Sequence, residues 1–149
     1  MKFAFPLQKV LEHRKILENL AQKDFQEAEA AFSQQQVLLQ KLKQAVQEAY
    51  AQAGQLSQKG GAQGPALSQI DEFIRDQKIR ITTQTQKVQD AEKLVESKRE
   101  VLRQAALDYK IIEKMRENRL EAYKAELLSQ ERKEMDEQAI LRFKVAKES

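Results

Sequence analysis

Apolar residues recur along this chain at alternating steps of three and four, the spacing of a helix that packs one face against another helix. With Leu7 set at heptad position a, the a column reads Leu7, Arg14, Ala21, Ala28, Gln35, Leu42, Ala49 and Leu56. The d column reads Val10, Leu17, Asp24, Ala31, Leu38, Ala45 and Gln52. The e positions beside them add Leu11, Phe25, Phe32, Leu39, Val46 and Ala53. Further along, Ile74, Ile81, Val88, Val95, Leu102 and Tyr109 form a second clear column, with Ile70, Gln77, Gln84, Ala91, Lys98, Ala105 and Ile112 as its companion.

The breakers fall between these two patterns. Gly54, Gly60, Gly61 and Gly64 are the only glycines, Pro65 follows at once, and Pro6 is the one other proline. Glycine and proline are the residues least compatible with a helix interior. The expected elements are helix one over about 7–56, a turn over 57–66, and helix two over about 67–145. Ser68 followed by Asp71 and Glu72 reads as the capped start of helix two. The fold class is all-α, and residues 1–149 form one coiled-coil hairpin domain.

Folding the chain at the turn pairs residues whose numbers add to about 122 or 123. Ala49 then meets Ile74, Leu42 meets Ile81, Ala28 meets Val95, Ala21 meets Leu102, and Arg14 meets Tyr109. The companion columns pair Leu17 with Ala105, Val10 with Ile112, and Asp24 with Lys98. The expected seam therefore holds Leu17, Ala21, Ala28, Leu42, Ile74, Ile81, Val88, Val95, Leu102 and Tyr109. Small residues on helix one meet large ones on helix two. The same arithmetic puts Leu7 opposite about residue 116, so helix two overhangs helix one by about 40 Å at 1.5 Å per residue. Tyr123, Leu127 and Leu141 lie on that overhang and call for a partner, because an unpacked helix is marginal in water.

Composition narrows the chemistry. The chain is 33% charged, 6% aromatic and free of cysteine and tryptophan. Disulfides and cysteine-ligated metals are excluded. The net charge of +3 is spread evenly, which reads as a solvated helix surface and not as a phosphate-binding stripe. No apolar run approaches the roughly 20 residues of a membrane span. His13 stands alone, the acids alternate with bases, and no phosphate loop, zinc spacing or nucleophile elbow occurs. The expectation is a protein that is not an enzyme and carries no cofactor or metal. Phe25 and Phe32 widen the seam, whereas Val46, Tyr50 and Phe73 gather near the turn as a patch suited to a partner.

Three segments carry a family resemblance. The opening FPLQKVLEHRK, the stretch SQIDEFIRDQKIRI with Phe73 and Ile74, and the motif ERKEMDEQAILRF with Lys133, Met135, Asp136, Glu137 and Ala139 are similar to the FliJ family of flagellar export proteins. The injectisome stalk proteins share the same expected shape. The resemblance implies a cytoplasmic stalk, peripheral at the inner face of the inner membrane, that serves flagellum assembly and hence motility and chemotaxis. It implies that the paired terminal end, with Tyr123, Leu127, Lys133, Met135, Asp136 and Glu137, enters and stimulates a hexameric export ATPase. It further implies a contact with the export-gate cytoplasmic domain, for which Val46, Tyr50, Phe73 and Gln77 are the candidates, and escort of export chaperones. Two other readings stay open on the residues alone: a generic scaffold coiled coil, and a helical arm that binds nucleic acid.

Overall fold

The computed structural model describes residues 2–60 and 64–148. It contains two helices, α1 (Gln8–Gln58) and α2 (Gly64–Glu148), and no strand among the described residues. The chain divides into unit 1, formed by Met1–Glu18 with Gln104–Ser149, and unit 2, formed by Asn19–Arg103. In each unit α1 and α2 run antiparallel.

The breakers act at the ends of the helices. Gly60 has φ +76°, the left-handed conformation that closes a helix C-terminus at no side-chain cost. Beside it, the Lys59 amide donates to the Leu56 carbonyl at 3.1 Å. α2 starts at Gly64, earlier than the sequence suggested, so Pro65 lies inside its first turn. Proline fits there because the first amides of a helix have no partner to lose. Ser68 is therefore an interior helical residue and not a cap. The expected turn also included Gly61, Ala62 and Gln63, which lie outside the described residues.

The register follows expectation. In unit 2, Val46 and Ala49 are buried against Ile74, with Ile70 and Ile81 packed around them. In unit 1, Leu11 is buried against Ile112, and Arg14 reaches across to donate to the Asp108 carbonyl at 2.8 Å. Ala21, Ala28 and Val95 are buried, and Leu42, Ile81, Val88, Leu102 and Tyr109 are half-buried, as the seam requires.

The companion column on α1 is different from the one expected. Val10, Leu17 and Leu38 are 37%, 45% and 46% exposed, and Asp24 and Ala31 are exposed with them. Leu17 is not a seam residue, and the pairs Leu17–Ala105, Val10–Ile112 and Asp24–Lys98 do not form the core. Instead the e column turns inward: Leu11 and Val46 are buried, and Phe25, Phe32, Leu39 and Ala53 are half-buried. The two columns flank the a column equally, so spacing alone does not choose between them. Size does. The e column carries two phenylalanines, and aromatic side chains remove far more apolar area from water than the Asp, Ala and Gln of the d column.

Two polar layers interrupt the seam of unit 2. Gln84 is buried, and its Nε2 donates to the Gln35 backbone carbonyl at 2.9 Å and to Gln35 Oε1 at 2.7 Å. Gln77 is buried as well, but its Oε1 has no hydrogen-bond donor. Leaving such an atom unpaired costs about 1–3 kcal/mol.

Candidate functional site

Two regions were expected to meet partners, one near the turn in unit 2 and one on the far end of α2 in unit 1.

The residues near the turn do not form a single patch. Val46 and Gln77 keep only 8% and 7% of their surface exposed, so both belong to the seam and present no side chain to a partner. Tyr50 and Phe73 are 50% and 43% exposed. They lie on opposite sides of the buried Val46–Ala49–Ile74 cluster. The Lys78 ammonium sits over the Tyr50 ring at 5.4 Å. Phe73 lines a shallow groove on the other side with Ala45, Glu48, Gln52, Leu56 and Gln69. Gln77 belongs to the companion column of α2, and on α1 a heptad places 46 and 50 one turn apart without saying which of the two faces inward. That choice depends on the e column being buried.

Unit 1 is organised by its N-terminal segment. Residues 2–5 are not helical, and Pro6 and Leu7 make a turn that the Gln8 amide closes on the Phe5 carbonyl at 3.0 Å. Proline at the second position of a turn presets the required φ. Phe5 is buried with Leu11 and Ile112, and Phe3, Leu7, Tyr109 and Met115 pack around them. The Phe3 ring lies 5.6 Å from that of Tyr123. The Arg116 guanidinium stands over Phe3 at 5.8 Å, and that of Arg119 stands over Phe5 at 5.6 Å. Arg116 Nε also donates to Gln8 Oε1 at 3.3 Å.

These contacts correct the expected overhang. α2 has an intramolecular partner well past residue 117, as far as Tyr123. An extended chain rises about 3.3 Å per residue against 1.5 Å for a helix, so a few non-helical residues reach two further turns along α2. Ala4 separates Phe3 from Phe5, and both rings pack on α2, Phe3 beside Tyr123 and Phe5 against Ile112.

Beyond this clamp α2 has an exposed arm. Leu120, Tyr123 and Leu127 are half-buried, and every residue from 128 to 148 is exposed. Among the predicted contact residues, Lys133, Met135, Asp136 and Glu137 lie on the arm, and Met135 is 70% exposed. Tyr123 belongs instead with Phe3. The arm also shows Leu128, Ile140, Leu141, Phe143 and Val145, at 55–69% exposure, most of which sequence reading did not single out.

The electrostatics are those of a solvated coiled coil. Tyr109 is covered by the Lys15 ammonium at 4.8 Å. The Glu113 carboxylate, hydrogen-bonded to the Tyr109 phenol, raises that phenol above its ordinary pKa, with help from desolvation. The ion pairs among the described residues join neighbours one turn apart on a single helix, such as Arg99 with Glu96 and Arg103 with Glu100. Exposed pairs of this kind add little stability. Among the described residues no group of His, Cys, Asp and Glu is placed to hold a metal ion, and no helix is long and apolar enough to cross a membrane.

No curated protein and no solved structure matches the chain. The profile of the family described as "Flagellar FliJ protein" matches residues 1–148. With a match over almost its whole length, the chain belongs to the FliJ family, components of the flagellar type III protein export apparatus.

Proposed function

We propose that this chain is a non-enzymatic stalk of the export apparatus, whose exposed α2 arm enters the hexameric export ATPase and stimulates it. The observation that carries the reading is the arm itself. Residues 128–148 stay helical while Leu128, Met135, Ile140, Leu141, Phe143 and Val145 face water. A helix with that much exposed apolar surface gains stability when another protein covers it. Lys133, Asp136 and Glu137 are exposed on the same stretch and supply polar contacts at the rim of such an interface.

The second half of the proposal concerns the export gate. Tyr50 and Phe73 are the side chains of the turn-proximal region that can touch a partner, and both are aromatic anchors of the kind that dominate interfaces. Val46 and Gln77 support them from within the seam. Escort of export chaperones and a cytoplasmic position at the inner face of the inner membrane complete the reading. Evenly mixed surface charge favours protein partners over nucleic acid.

The test is ATP turnover by the purified export ATPase with the full chain or with a chain ending at residue 127. Full-length protein is expected to raise the rate and the truncated chain is not. Hydrogen exchange over residues 104–123 verifies that unit 1 stays folded in the shorter chain. Equal stimulation by both chains would remove the role given to the arm.

A further inference from the structure

The two edges of the helix pair in unit 2 differ. On one edge cationic side chains close over aromatic rings: Lys78 over Tyr50 at 5.4 Å and Arg99 over Phe25 at 5.5 Å. Their neighbours at heptad spacing, Glu29, Gln36, Lys43, Asp71, Thr85 and Glu92, are polar. The other edge is not closed. It carries the d column of α1, with Ala31, Leu38 at 46% exposure and Ala45. Across from it, the α2 column that begins at Phe73 continues through Arg80 and Lys87 to Leu94 and Val101, which are 49% and 53% exposed. The Phe73 groove, lined by Ala45 and Gln52, opens on this same edge. A second shallow groove on α1, formed by Ser33, Gln34, Val37, Leu38 and Lys41, lies at the middle of the run.

We infer that this open edge is a self-association surface, on which a second copy of the chain docks with its α1 antiparallel to the first. The sequence of the α1 face supplies the argument. Read at steps of three and four from residue 24 to residue 45, it is Asp24, Glu27, Ala31, Gln34, Leu38, Lys41 and Ala45. Reversed about Gln34, this face is its own complement. Glu27 meets Lys41 of the second copy twice and Gln34 meets Gln34 on the two-fold axis, while Leu38 falls within one residue of Ala31, and Asp24 within one residue of Ala45, at both ends. A two-fold interface requires such self-matching of one patch.

The charges inside one chain leave these groups available. Asp24, Lys41 and Arg80 take part in none of the ion pairs among the described residues, and Glu27 has only the exposed Lys23 ammonium at 4.0 Å. The large-on-small match of Leu38 with Ala31 repeats the pattern by which α1 and α2 already pack. Alternative partners of mixed charge lack this reason for a symmetric fit.

The surface is small. The run from 24 to 45 is about 32 Å long at 1.5 Å per residue, and a strip of that length falls below the roughly 800 Å² per partner of a stable interface. The dimer is therefore weak, forming at micromolar concentrations or above.

Sedimentation equilibrium on the full chain tests this, with the partner-free protein as probe. Monomer is expected at low concentration and reversible dimer as concentration rises. Leu38→Glu should abolish the dimer without altering helix content. Glu27→Lys alone should weaken it, and Glu27→Lys combined with Lys41→Glu should restore it. Because the chain has no cysteine, Gln34→Cys should form a disulfide-linked dimer under mild oxidation, and Glu48→Cys, which the symmetry places opposite Leu20, should not. A monomer at several hundred micromolar, or crosslinking of Gln34→Cys no faster than of Glu48→Cys, overturns the proposal and leaves the edge to a different protein.

Discussion

Leu38 and Leu39 are adjacent, identical in chemistry and differently placed, which makes them a direct test of how α1 is rotated in unit 2. Leu39 is half-buried in the seam, whereas Leu38 is 46% exposed on the open edge. Replacing a buried leucine by alanine costs about 2–5 kcal/mol, and half-burial puts Leu39→Ala near the bottom of that range, at about 2 kcal/mol. Leu38→Ala removes apolar surface of which nearly half is already wet and installs a slightly better helix former, so its effect stays within about 0.5 kcal/mol. For a chain of this length, 1 kcal/mol moves the melting temperature by about 2–4 °C. Thermal unfolding followed by circular dichroism should therefore show Leu39→Ala lowered by about 4–8 °C and Leu38→Ala nearly unchanged. The measurement belongs at low protein concentration, where the proposed dimer is dissociated and cannot add a cost for Leu38. A larger loss for Leu38 than for Leu39 under those conditions would mean that the d column faces α2 after all, and both the seam and the open edge would have to be exchanged.

Three further outcomes are expected. Gln77→Leu should raise stability by about 1–2 kcal/mol in the same melt, because it removes a buried oxygen with no donor, whereas Gln84→Leu should gain less or lose, because it strands the Gln35 carboxamide. Ala28→Cys with Val95→Cys should form an intramolecular disulfide on oxidation, and Leu17→Cys with Ala105→Cys should not; the reverse result would restore the discarded column. Phe5→Ala should speed amide exchange around residues 108–123 while leaving exchange around Ile74 unaltered, since Phe5 is buried only against unit 1; uniform loss of protection would show that the segment is not a local clamp.

The clarity of the fold in the sequence follows from what heptads encode. On α2 both columns were legible because β-branched and leucine residues occupy one column in nearly every heptad, with little competition on its flanks. On α1 the a column was legible for the same reason, and the antiparallel register with it. Its companion was not, because d and e are both sufficiently apolar and differ mainly in the volume of Phe25 and Phe32. Everything tied to that choice follows it: Leu17 lies outside the seam, Val46 lies in it, and Tyr50 is separated from Phe73. The start of α2 at Gly64 is hard to read because proline ends a helix in its interior but fits its first turn, and the sequence around Pro65 is compatible with both. The clamp made by Phe3 and Phe5 was missed because seven residues carry too little periodicity to reveal a segment whose partner lies more than a hundred residues away.

That separation has a consequence for biosynthesis. Phe3 is synthesised about 120 residues before its docking partner Tyr123, whereas Val46 and Ile74 are joined by a loop of fewer than 30. The contacts nearest the turn carry the smaller loop-closure cost and form early; the aromatic clamp closes only after residue 123 has been made. A nascent chain that stops before residue 112, or one clipped there, leaves Phe3, Phe5 and Leu7 uncovered. Exposed hydrophobic segments of this kind are prone to aggregation, so burial of Phe5 marks a chain whose α2 has been made at least as far as residue 112.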